Sequence, residues 1–145
     1  MLARDSGNQR CSVNFKQGRI EMGAESYLSK AKELYQKAVE EFNRAREKRD
    51  GVVLRDACGK GWLSAIEATN AFLLNKGVKE EELPGVERGR RYMLFKYASK
   101  EIRSLYLSLR DVFHMQGYYE GTLEFDEMKE YLEDLNSYIQ KIEKL

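Results

Sequence analysis

The chain has a single histidine and a single proline among its 145 residues. One histidine excludes a His-rich metal site or a histidine pair within one chain. The two cysteines, Cys11 and Cys58, are far apart and no CxxC occurs, which excludes a zinc ribbon and a disulfide scaffold. No apolar run approaches the roughly 18 residues that cross a bilayer. Residues 1–23 contain no apolar stretch of about 7–15 residues, so they do not read as a secretory signal, and a cytoplasmic location is expected. GxGxxG, the phosphate-binding P-loop and HExxH are all absent. No carboxylate or histidine spacing resembles a ligand set, so neither a metal nor another cofactor is expected.

Charged residues are abundant, at 34%, with a net charge of only +1. The balance hides an asymmetry. Residues 88–110 hold seven basic side chains and one acid, and residues 111–145 hold nine acids and three bases. Such a division either neutralises itself within the fold or offers a basic surface to an anionic partner.

Helical periodicity dominates from residue 24 onward. Tyr27, Ala31, Leu34, Ala38, Phe42 and Ala45 recur at spacings of three and four, which predicts an amphipathic helix ending at Gly51. A second helix, about Val52 to Asn75, carries a ridge of small residues at Ala57, Gly61, Ala65 and Ala68. That ridge admits a neighbouring helix closely, and Trp62 reads as a core anchor beside it. A loop over 78–85 holds the proline. A third helix is predicted from Glu87 to Met115, with Phe95, Ala98, Ile102, Leu105, Leu109 and Val112 inward. The fourth runs from about Leu123 to the end, with Met128, Tyr131, Leu132, Leu135, Tyr138, Ile139, Ile142 and Leu145 on its apolar face. The expected fold is all-α, an antiparallel four-helix up-and-down bundle over 24–145. Residues 1–23 lack any core period and are expected to form a poorly ordered tail.

At about 100° per residue, Lys96, Lys100, Arg103, Arg110 and His114 fall within about 40° of one line on the third helix, opposite its core. This stripe is either an ordinary solvated face or a set of phosphate-binding groups. His114 either steadies a helix C-terminus or serves acid–base chemistry near neutral pH. Tyr118 and Tyr119, between Gly117 and Gly121, either close a helix corner or stack on bases.

Leu109-Arg110-Asp111-Val112-Phe113-His114, followed by Gly117-Tyr118-Tyr119-Glu120-Gly121, resembles the Arg–His region of the HEPN superfamily of small all-helical proteins. The likeness covers about residues 24–145, including Lys60-Gly61-Trp62-Leu63-Ser64-Ala65. Its Arg-x-x-x-His spacing is one residue shorter than the usual minimum in that superfamily. The resemblance implies Arg110 and His114 as catalytic residues, with Asp111 in the supporting polar position. It implies a metal-independent endoribonuclease of toxin–antitoxin or defence type, with RNA as substrate. A homodimer and a nucleotidyltransferase-type antitoxin partner are also implied. Many superfamily members lack the catalytic pair and serve as interaction or dimerisation modules, which is the alternative expectation.

Overall fold

The structure is a computed structural model that describes residues 13–16 and 19–145. The expectation of a poorly ordered tail falls mostly on residues outside the described ones. Within that stretch, strands β1 (Val13–Lys16) and β2 (Arg19–Met22) pair antiparallel, with Val13 opposite Met22 and Lys16 opposite Arg19.

From Ala24 onward the fold is all-α. Helix α1 (Ala24–Lys48) buries Ala31, Ala38, Phe42 and Ala45, the stripe read from its period. Its left-handed terminal residue is Arg49, at φ 55°, rather than Gly51. Gly51 instead opens α2 (Gly51–Asn75), because Asp50 caps that helix by accepting from the Val52 and Val53 amides. The two-residue link folds α2 back along α1, where the Ser64 hydroxyl donates to the Ala31 carbonyl.

The third predicted helix is divided. Helix α3 (Glu87–Tyr97) ends at Ala98, which is extended, and α4 (Lys100–Leu109) begins after it. Ser99 caps α4 by accepting from the Ile102 amide, satisfying a donor that a continuous helix would bond to its own backbone. A π-helical segment, Arg110–Glu120, continues α4. The break changes the helical phase. Phe95, expected in the core, is 72% exposed, and Leu94 is buried in its stead. The common line of Lys96, Lys100 and Arg103 assumed one continuous helix and has no basis across Ala98.

Helix α5 (Phe125–Glu143) buries Met128, Leu132, Leu135, Tyr138, Ile139 and Ile142. Tyr131 is half-buried, and Leu145, expected inward, is exposed. Contacts fix the directions. Cys58 meets Met128 near the starts of α2 and α5, and Thr69 meets Tyr138 near their ends, so these helices run the same way. Lys141 of α5 pairs with Glu101 at the start of α4, so α4 runs opposite. Lys32 pairs with Glu143, setting the start of α1 beside the end of α5. Among the described residues, no helix is long and apolar enough to cross a membrane.

The small ridge of α2 faces the π-helical segment. A Cβ on Gly61 would lie 3.2 Å from the Phe113 ring. A Cβ on Gly117 would lie 2.7 Å from the Cβ of Cys58 and collide with its sulfur. This close approach sets the π-helical segment, with Arg110 and His114, hard against α2.

Candidate functional site

His114 lies at a boundary between α2 and the π-helical segment. Its ring stacks on Trp62 at 5.2 Å between centroids, with planes 21° apart. Tyr119 also packs against it, at 4.7 Å and tilted by 60°. Trp62 is itself buried against Tyr106 at 5.5 Å. Trp62 is therefore a core anchor and also the platform for the histidine.

The Tyr118–Tyr119 backbone is held from α2. Arg55 donates through Nε and Nη2 to the Tyr118 carbonyl, at 3.0 and 2.7 Å, and through Nη2 to the Tyr119 carbonyl at 2.9 Å. These are carbonyls at the end of a helical segment, where a cation complements the unpaired acceptors. Both tyrosine rings remain exposed.

Arg110 pairs with Glu87 at the start of α3, Nε to Oε2 at 3.3 Å. The two atoms are buried and close, yet not aligned as a hydrogen bond. Glu87 is a hub. Its Oε1 accepts from the Tyr106 hydroxyl at 2.6 Å, and that hydroxyl accepts from Arg90 Nε at 3.1 Å. Arg90 and Arg91 also lie 3.7 Å from its carboxylate. Burial and Glu87 together push the Tyr106 phenol well above its ordinary range.

The electrostatics at His114 follow. Burial disfavours the charged ring, and the neighbouring Arg110 cation disfavours it further, so its pKa falls below 6.5. Glu87 acts in the opposite direction and Arg90 adds to the lowering. The ring is thus neutral near pH 7 and able to accept a proton.

A cavity of about 400 Å³ opens beside the ring, lined by Leu34, Asp56, Lys60, Trp62, His114 and Tyr118 among others. Lys60 crosses to α1 and pairs with Glu41 at 2.6 Å. So the structure brings Arg110, His114, Tyr118 and Tyr119 into one region. Asp111 turns away, accepting from the Gln116 amide at 2.9 Å. Lys96 is exposed, with its ammonium 5.3 Å from the Tyr97 ring, and Lys100 is exposed at the start of α4. Arg103 donates to the Ala98 carbonyl at 2.9 Å and covers the Phe95 ring at 5.2 Å. It completes the end of α3 rather than standing free.

Sequence reading did not find Glu87, Asp56 or the exposed side of Lys60 as site groups. Beyond its local pairs with Arg90 and Arg91, the partners that make Glu87 a site group, Tyr106 and Arg110, come from α4 and the π-helical segment. Gly61 and Trp62 were legible as packing residues of the second helix, whereas Lys60 entered only through the family likeness. Among the described residues, no group of three or more His, Cys, Asp or Glu is placed to hold a metal ion.

No protein-family model matches the sequence, and comparison with curated proteins gives no significant match.

Proposed function

We propose that the chain is a HEPN-like, nucleic-acid-associated module in which Arg110 and His114 form a metal-independent centre for RNA cleavage. The helix directions, with α1, α2, the α4–π unit and α5 alternating, are compatible with the up-and-down bundle of that superfamily. The observation that carries the reading is the setting of His114. It packs against Trp62 and Tyr119, beside Arg110, and lines a cavity, with its pKa lowered.

The chemistry would proceed as an internal displacement. Neutral His114 takes the proton of a 2′-hydroxyl. The freed oxygen attacks the adjacent phosphorus, and the bond to the 5′-oxygen breaks, giving a cyclic phosphate and a 5′-hydroxyl. Arg110, with its planar donors, meets the charge that builds on the phosphate oxygens. In a homodimer one His114 of the pair acts as this base, and the other, in its protonated form, would supply the leaving-group proton. Tyr118 and Tyr119 would stack on bases beside the cut. An antitoxin of nucleotidyltransferase type and a cytoplasmic setting belong to the same proposal.

One observation favours a second reading. Glu87 already neutralises Arg110, as expected of a structural ion pair. On that reading the chain is a non-catalytic interaction or dimerisation module.

The test is cleavage of single-stranded RNA by the purified protein in excess chelator. Cleavage should occur, and His114→Ala should lower its rate by roughly 100-fold or more while leaving the circular dichroism spectrum intact. Absence of cleavage by the wild type, or equal cleavage by His114→Ala, removes the catalytic reading and leaves the interaction module.

A further inference from the structure

We infer that the groove between α3 and α4 is a docking site for an acidic amphipathic helix of a partner protein. Four positions of α3 carry it: Arg88, Arg91, Tyr92 and Phe95, spaced i, i+3, i+4, i+7 and therefore on one face. Tyr92 is 63% exposed and Phe95 72%. Leu107 of α4 stands exposed across from them, and Arg103 lies between. Together they enclose a groove of about 420 Å³ that no acidic side chain lines among the described residues.

Two features of this face point to a partner. Large apolar side chains grouped on an exposed helical face are uncommon on a soluble monomer unless something covers them. Aromatic residues and arginine are also the types enriched where protein interfaces are buried, while lysine and acids are depleted. The groove holds arginine, tyrosine, phenylalanine and leucine, and no lysine.

The charges select the class of partner. Arg88 makes no ion pair among the described residues. Arg91 is 3.7 Å from Glu87, and Arg103 is committed to the Ala98 carbonyl and the Phe95 ring. A nucleic acid strand needs successive free cations for successive phosphates, and of the three arginines lining this groove only Arg88 is without a partner among the described residues. A helix with one apolar face and flanking carboxylates needs less. Its apolar residues would bury Tyr92, Phe95 and Leu107, and its carboxylates would meet arginines already fixed in place. A concave groove also suits a helix better than a flat lipid surface does. The groove shares no lining residue with the cavity beside His114, so it goes beyond the RNA chemistry proposed above.

The experiment uses the full chain and a fluorescent synthetic peptide of about 18 residues, five helical turns, with leucines at i, i+3, i+4, i+7 and glutamates elsewhere. Anisotropy should report binding that weakens with salt. A peptide of permuted order should bind at least roughly tenfold more weakly. The double variants Tyr92→Ser/Phe95→Ser and Arg88→Glu/Arg91→Glu should each weaken binding by at least roughly tenfold with unchanged circular dichroism, since all four side chains are exposed. Equal binding of the two peptides, or no effect of either double variant, overturns the inference. So does a loss in the variants of binding to a short single-stranded RNA or to anionic vesicles in place of the peptide. Dissociation of a wild-type dimer by Tyr92→Ser/Phe95→Ser, seen by light scattering, would assign the face to a second copy instead.

Discussion

The imidazole of His114 lies 5.2 Å from the Trp62 indole, with the two planes 21° apart. The contact joins the π-helical segment to α2 and places the only histidine of the chain on an apolar platform. Its protonation is shifted first by burial, then by the Arg110 cation one turn away in the same segment, and by Glu87 and Arg90, which the tertiary fold brings from α3.

The first prediction concerns that titration. Arg110→Gln should raise the His114 pKa, because a repelling cation is removed. Glu87→Gln should lower it further, because the opposing carboxylate is lost. An NMR titration of the single imidazole reads both directions. Shifts of the same sign in the two variants would show that the charges are arranged differently.

A stability effect follows from the same shift. Above pH 6.5 the ring is neutral in folded and unfolded chains alike. As the pH falls through 6.5 toward the lower folded value, the unfolded chain takes up the proton first. His114 therefore destabilises the fold progressively on acidification. His114→Gln should show a flatter decline of the melting temperature between pH 7.5 and 5.5 than the wild type. A parallel decline would mean that His114 is not the source.

The approach of Gly117 to α2 gives a packing prediction. An added methyl group would meet both the Cβ and the sulfur of Cys58, so Gly117→Ala should cost about 1–3 kcal/mol in denaturant unfolding. Cys58→Ala should relieve only part of this, because the Cβ at 2.7 Å remains. Gly117→Ala with wild-type stability would show that the segment stands farther from α2.

The buried Thr69–Tyr138 pair predicts an asymmetry. Thr69 donates to the Ala65 carbonyl at 2.8 Å, so across the 2.7 Å contact the proton comes from Tyr138. Tyr138→Phe removes that donor and leaves Thr69 still bonded, at a cost of about 0.5–1.5 kcal/mol. Thr69→Val strands a buried phenol and should cost more, about 1–3 kcal/mol. Equal losses in calorimetry would show that the hydroxyls are arranged otherwise.

Much of this protein was legible in the sequence, and the residues show where legibility stops. Ala31, Ala38, Phe42 and Ala45 in α1, and Met128, Leu132, Leu135, Tyr138, Ile139 and Ile142 in α5, are buried as their spacing requires. The small residues of α2 meet a close neighbour, as small residues should. A helix of many turns repeats its pattern often enough that one face is chosen by burial alone, whatever the neighbours are. The all-α character and the phase of α1, α2 and α5 follow from that. The tertiary structure decided the rest. A single serine cap at Ser99 ends one helix and starts another, and it moves Phe95 from the expected core to an exposed groove. Serine is common, and nothing local marks this one as the break. The pairing of Arg110 with Glu87, and the stacking of His114 on Trp62, join residues far apart in the chain. Periodicity says which way a side chain points, but its partner depends on which helix lies opposite, and that is a property of the assembled fold.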